Sequence, residues 1–224
     1  IGAVNAVAFD ISATCAGFIF AMNIVEGFFK AGIYKTALII GAETLSKVTD
    51  WSDRGTCVLF GDGAGAAVLK AEETGIIDMM MGADGTKGDV LACTSRTVGN
   101  FLTGTKPELG FMTMDGQEVF KFAVRKVPES VMELLQRTGT KKEDIKYYVL
   151  HQANERIIEA AARRLKEPME KFPMTISQFG NTSTASIPLL LDDMIRKDML
   201  KKGDKIIMSG FGAGMTWGAV LMEW

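Results

Sequence analysis

The sequence predicts an α/β layered fold made of two pseudo-repeated halves, the first of them incomplete. Two observations carry this. Short apolar runs of strand length alternate with longer segments whose apolar residues recur at three, four and seven. A helix–strand–glycine turn–strand ending also occurs twice, once through residues 61–63 and again through residues 212–214. Alternation of this kind favours layers of helices on sheets. The second copy has an upstream strand and helix that the first lacks, so the first half is expected to be missing its beginning.

Residues 6–11 form a short apolar run and read as a buried strand. From Cys15 to Lys30, Phe18, Ile19, Met22, Val25, Phe28 and Phe29 repeat at helical spacing, and Gly32 supplies a stop. Residues 36–40 read as a second buried strand. Residues 56–60 and 64–70 read as a strand pair around Gly61-Asp62-Gly63. Residues 82–110 are rich in Gly, Thr and charge, and read as a long connecting loop. Residues 116–137 are helical, with Pro128 as a potential kink. A strand over 147–150, amphipathic helices over 154–166 and 186–197, and closing strands over 205–209 and 216–222 complete the pattern. Pro188 fits the last helix if it lies in the first turn. The expected division is 1–84 for the first half, 85–110 for the connection and 111–224 for the second half.

Composition excludes several classes. With 25 basic against 27 acidic residues, the chain lacks the basic surplus of a general nucleic-acid binder. Hydrophobic residues at 47% and charged residues at 23% fit a globular protein rather than a disordered one. Three widely spaced cysteines argue against a disulfide framework and suit a reducing, cytoplasmic setting. No apolar run reaches the roughly 18 residues that a membrane helix requires, and no basic region precedes an apolar stretch as in a signal peptide. The 14 methionines read as core filler. No His/Cys/Asp cluster has metal-ligand spacing, so neither a metal nor another cofactor is expected.

Cys15 lies between a strand-like run and the start of a helix, where the positive end of the helix dipole would favour a thiolate. An inert buried cysteine fits that position equally well. His151, the only histidine, directly follows an apolar strand, where ligands and catalytic groups collect in α/β sheets, although a satisfied structural histidine also fits that position. Asn181 sits in a small polar run before a helix, where an N-cap cluster is the simpler explanation. Gly61-Asp62-Gly63-Ala64-Gly65 leads into a strand, so a phosphate-binding helix N-terminus is excluded there. Phe211-Gly212-Ala213-Gly214 joins two strands, and its amides either form an oxyanion site or simply close a tight turn.

Taken together and in order, Ala13-Thr14-Cys15-Ala16-Gly17-Phe18, His151-Gln152-Ala153-Asn154 and the run from Gly180 to Ser186 resemble the β-ketoacyl-acyl-carrier-protein synthase III family, of the thiolase fold. The segments 53–56, 60–65 and 211–218 match it as well. The resemblance implies five layers in the order α-β-α-β-α, and it places Ile1 about a third of the way into the family's length. It also implies a condensing acyltransferase of fatty acid initiation. Cys15 would take an acyl group from acyl-CoA, the CoA thioester being substrate and not cofactor. His151 and Asn181 would support decarboxylation of malonyl-acyl-carrier-protein. The amides of Cys15, Gly212, Ala213 and Gly214 would form the oxyanion hole. Ala213 departs from the family's usual glycine, which matters only if its φ must be positive. Arg54, Met114, Gly116, Phe120, Ala153 and Asn154 would line the CoA channel, and Lys121, Arg156, Arg163 and Arg164 would receive the acidic carrier protein. The same four basic residues are also readable as ordinary solvated helix decoration. Asn181, where some related enzymes carry a second histidine, selects the synthase III-like subgroup. A homodimer is implied, with no nucleic acid or membrane partner. Two alternatives stand beside this reading: a related polyketide starter synthase, and a fragment or subunit inactive without the missing N-terminal part.

Overall fold

Beyond Ala13 the chain alternates helix and strand much as the apolar spacing predicts. A computed structural model describes residues 1–93, 99–107 and 110–224. Helix α1 spans Gly17–Lys30, and the chain leaves it through Gly32 at a φ of 69°. Strands β1 (Thr36–Glu43) and β2 (Gly63–Lys70) pair antiparallel as a two-stranded sheet. Strand β3 (Ile76–Ala83) follows, then β4 (Leu91–Cys93) and β5 (Met112–Met114), which pair with each other. Helix α2 (Gly116–Thr138) is capped by Asp115, whose carboxylate accepts from the amides of Gln117 and Glu118, and it ends at left-handed Gly139.

Strand β6 (Ile145–Leu150) leads into α3 (Glu155–Leu165), then the short α4 (Ile176–Phe179) and α5 (Ser186–Arg196). Strands β7 (Lys205–Gly212) and β8 (Thr216–Glu223) close the chain. The four-stranded sheet runs β3-β8-β7-β6, with β6 and β7 parallel and the other pairs antiparallel. Strand β7 is buried from Ile206 to Gly212, as expected of a strand covered on both faces. One core cluster joins α1 and α5 to the four-stranded sheet through Phe18, Ile19, Met22, Ile187, Leu190 and Val220. The other joins α2 and α3 to its opposite face through Phe122, Val131, Leu134, Ile158, Ala161 and Ile207. The described residues therefore build four of the five expected layers: β1–β2, α1 with α5, the main sheet, and α2 with α3.

Three expectations are corrected. Residues 6–11 are exposed coil and not a buried strand, because they pair with no strand among the described residues. Residues 56–60 form turns, because the Asp53 carboxylate accepts from the amide of Gly55 and the hydroxyl of Thr56 and curls the chain; β2 pairs with β1 instead. The expected loop over 82–110 contains β4 and a 3-10 segment, Gly85–Val90; residues 94–98 and 108–109 of it lie outside the described residues. Strand β3, counted with the first half in the sequence division, hydrogen-bonds to β8 of the second. Pro128 is accommodated without ending α2. The carbonyl of Val124, which a proline at i+4 cannot serve, accepts instead from Nη1 of Arg164 at 3.3 Å.

Candidate active site

Cys15 sits in a 3-10 turn, Thr14–Ala16, that runs directly into α1. Thr14 has a φ of 45°, a conformation costing a non-glycine residue about 1 kcal/mol or more. Its neighbours hold it there. The Thr184 hydroxyl donates to the Thr14 carbonyl at 2.6 Å; the Thr216 hydroxyl donates to the Ala213 carbonyl at 3.0 Å and so lies beside, at 3.5 Å, the carbonyl of Ala13. Gly212 lies so close that a Cβ there would stand 2.2 Å from Thr14 Oγ1 and 2.8 Å from Cys15 N. The end of β7 is thereby pressed against the Thr14–Ala16 turn.

The thiol's acidity runs against the sequence expectation. Burial pushes Cys15 up to about 11, with the Glu43 carboxylate adding to the rise. A hydrogen bond from Ser183 and the residue's own amide oppose it without prevailing. A helix dipole contributes at most about 2 kcal/mol, whereas full desolvation moves a pKa by up to several units, so the helix start does not yield a thiolate here.

His151 follows β6, and its amide donates to the carbonyl of Ser209 on β7 at 2.8 Å. Gln152 locks the loop after it. Its Nε2 donates to Leu150 O at 2.8 Å and its Oε1 accepts from the Thr175 amide at 2.9 Å. The His151 ring packs edge-on against Phe211 and shares a 2.6 Å hydrogen bond between Nδ1 and Ser186 Oγ. Burial lowers its pKa to about 3, so the imidazole is neutral at physiological pH.

Asn181 is positioned by the segment around Gly61. The Gly61 amide donates to Asn181 O at 2.9 Å and the Asn181 amide to Leu59 O at 2.8 Å. A Cβ on Gly61 would lie 2.0 Å from the Phe179 carbonyl oxygen, so only glycine permits this approach. Asn181 Oδ1 accepts from the Ser183 amide at 2.9 Å, which leaves its Nδ2 hydrogens for another acceptor.

The structure brings the three candidates together. Gly210 separates Cys15 from His151: a Cβ there would lie 3.2 Å from Cys15 O and 3.7 Å from His151 Cβ. The turn from Ser183 into α5 touches Cys15 through Ser183 and His151 through Ser186. Ala213 does not have a positive φ, unlike Gly214 at 130°, so the alanine is tolerated in that turn and keeps its N–H.

The remaining candidates are more scattered. Asn154 caps α3, with Oδ1 accepting from the Arg156 amide at 2.9 Å; Ala153 is half-buried against the α2–α3 core. Phe120 is exposed on α2, Met114 lies in β5 and Gly116 opens α2. Arg54 lies in the exposed turns before Thr56, with no hydrogen bond or ion pair to the site among the described residues. Lys121 pairs with Glu118 at 2.8 Å and Arg163 with Glu159 at 3.7 Å. Arg156 is exposed. Arg164 lines a groove of about 850 Å³ with Pro128 and Met132, apart from the catalytic candidates. Ser183, Ser186 and Gln152 were quoted in the sequence motifs but given no roles there. Among the described residues no group of His, Cys, Asp and Glu is arranged to hold a metal.

A family model described as 3-Oxoacyl-[acyl-carrier-protein (ACP)] synthase III matches residues 9–85, and one for the C-terminal part of the same enzyme matches 135–224. The chain belongs to the 3-oxoacyl-[acyl-carrier-protein] synthase III family. It is 52% identical to the beta-ketoacyl-[acyl-carrier-protein] synthase III of Clostridium novyi, across all of this chain and 70% of that protein. With the corresponding protein of Gloeobacter violaceus it shares 43%, over the same fractions. Crystal structures of the synthase III from Aquifex aeolicus (44% identical, TM-score 0.87, 97% of this chain and 67% of that one) and Pseudomonas aeruginosa (39%, 0.90, 98% and 68%) have the same fold. So does a priming β-ketosynthase of the R1128 polyketide pathway, at 35% identity and a TM-score of 0.90 over 99% of this chain and 67% of that one. These synthase III relatives establish the thiolase-type α/β architecture.

Proposed function

We propose that this chain is the condensing acyltransferase of fatty acid initiation, with Cys15 as nucleophile and His151 and Asn181 as the decarboxylation pair. The observation that carries it is the single turn, Ser183 to Ser186, that ties Cys15, Asn181 and His151 into one connected set. In the first half-reaction Cys15 Sγ attacks the acyl-CoA carbonyl. The thioester C–S bond breaks, and the thiol proton passes to the departing CoA sulfur. In the second, malonyl-acyl-carrier-protein loses CO2 and the electron pair moves onto the thioester oxygen as an enolate. A neutral His151 and the Asn181 Nδ2 group are donors suited to that charge. The enolate carbon then attacks the acyl-Cys15 carbonyl, whose developing oxyanion faces the amides of Cys15 and the 212–214 turn. The tetrahedral adduct collapses, the C–S bond to Cys15 breaks, the 3-oxoacyl-carrier product leaves, and the Cys15 thiolate regains a proton from water.

Arg54, Met114, Gly116, Phe120, Ala153 and Asn154 are assigned to the CoA channel, and Lys121, Arg156, Arg163 and Arg164 to carrier-protein docking, on the family resemblance. Residues 1–84 carry the nucleophile, 85–110 connect, and 111–224 carry His151 and Asn181. A homodimer and a cytoplasmic setting accompany the reading; no described helix is long and apolar enough to cross a membrane. The test uses radiolabelled acetyl-CoA and malonyl-carrier-protein. Cys15→Ala should form no acyl-enzyme, while His151→Ala and Asn181→Ala should acylate and fail to release CO2. Acylation of the Cys15 variant, or normal CO2 release by either of the others, overturns the assignment. Product analysis across acyl-CoAs separates fatty acid initiation from a polyketide starter role, which the R1128 neighbour keeps as the second reading.

A further inference from the structure

His151 has two ring nitrogens, and a neutral imidazole carries its proton on only one of them. Which one decides whether the ring offers the substrate a donor or a lone pair. Nδ1 is bound to Ser186 Oγ at 2.6 Å, in a site where both residues are buried. Two arrangements satisfy that distance: the ring donates to the hydroxyl, or the hydroxyl donates to the ring.

The surroundings of Ser186 separate them. Its oxygen also accepts, at 3.4 Å, from the backbone amide of Gln152. That amide has no other role to play, being a donor only, and Gln152 is fixed by its side-chain bonds to Leu150 O and the Thr175 amide. Among the described residues the Ser186 hydroxyl proton has no other acceptor than Nδ1. Were the ring to donate to Oγ, the oxygen would receive two hydrogen bonds and its own proton would be buried unpaired, at a cost of about 1–3 kcal/mol. With the hydroxyl donating, all three groups are satisfied.

We propose that Ser186 is a positioning residue that holds His151 in the Nε2–H tautomer, so that the ring presents a hydrogen-bond donor to the substrate. Gln152 supports it by orienting the Ser186 oxygen through its amide. The inference deepens the proposed function and rests on it where it speaks of the enolate: an Nε2–H group stabilises a developing enolate oxygen, whereas the other tautomer would turn a lone pair toward it. It also explains why His151 is not used to deprotonate Cys15. Its one lone pair is already taken by Ser186.

Because His151 is the only histidine in the chain, a sample labelled with [15N]histidine gives one pair of ring-nitrogen signals, and the tautomer is read directly without substrate. The wild type should show protonated Nε2 and unprotonated Nδ1. Ser186→Ala should lose that preference, and Ser186→Thr, which keeps a hydroxyl, should restore it. A protonated Nδ1 in the wild type, or an unchanged spectrum in Ser186→Ala, overturns the proposal. On the same samples, Ser186→Ala should acylate from acetyl-CoA within about threefold of wild type and decarboxylate malonyl-carrier-protein 10- to 100-fold more slowly in kcat, with KM little changed. Equal loss of both half-reactions marks a merely structural serine and also overturns it. If instead His151→Ala decarboxylates normally, the proposed function fails while the tautomer measurement still stands.

Discussion

The Cys15 side and the His151 side of the candidate site are held by different means. Cys15 rests in a turn outside any sheet, kept in place by the hydroxyl of Thr184 and by the close approach of Gly212. That turn packs on β7 of the four-stranded sheet; the β1–β2 sheet of the same half has only two strands, and Ile40 and Val68 on it are 61% and 72% exposed. His151 extends directly from β6, inside a four-stranded sheet covered on both faces. Burial nevertheless has one outcome on both sides. It raises the thiol and lowers the imidazole, so both groups are neutral at rest. One buried environment thus keeps both the thiol and the imidazole uncharged.

The largest effect should come from breaking the nucleophile turn. Gly212→Val forces a branched side chain into the space of Thr14 Oγ1, and overpacking of this kind costs about 1–3 kcal/mol or more. Chemical denaturation should show that loss, with acyl transfer abolished. Removing the histidine sharpens the other side. His151 has a folded pKa of about 3 against 6.5 in the free side chain, so its contribution is present above pH 6.5 and is lost as pH falls toward 3. The slope is on the order of 1 kcal/mol per pH unit. An acid-denaturation series of His151→Gln should lack this component. Cys15 gives the opposite sign. Its raised pKa makes the stability contribution fade as pH climbs from about 9 toward 11. Alkylation of Cys15 by iodoacetamide should accelerate nearly tenfold per unit between pH 7 and 9, with no plateau. The smallest effect concerns the surface. Arg164→Ala removes the donor to the Val124 carbonyl that Pro128 freed, in an exposed position where water takes its place, and should cost no more than about 1 kcal/mol, whereas Lys121→Ala, removing only an exposed pair to Glu118, should leave the denaturation midpoint unmoved.

Where local chemistry decides, the sequence was sufficient. Gly32 and Pro188 stand at a helix end and in a first helical turn where the sequence puts them, and the motifs around Cys15, His151 and Asn181, in that order, were enough to indicate the family. Where a distant partner decides, it was not. Residues 6–11 have strand composition but no strand to pair with among the described residues, and residues 56–60 are curled by one aspartate. β3, Met-rich and unassigned from the sequence, owes its place to pairing with β8. The direction of the Cys15 shift was likewise hidden, because it depends on how completely the second half covers the thiol. Ser186 stood in a run that reads as a helix cap, and only the folded chain puts its hydroxyl 35 residues away on the His151 ring.

Strand β3 has one more consequence. It precedes the exposed stretch 99–107 in the chain, yet its hydrogen bonds run to β8 near the C-terminus. A protease cutting within 99–107 would sever the polypeptide without separating the pieces, because a complete edge strand of one piece is zipped along the other. The nicked molecule should migrate as a single particle under native conditions and as two bands in denaturant, and two separately expressed pieces divided there should find each other through that shared strand.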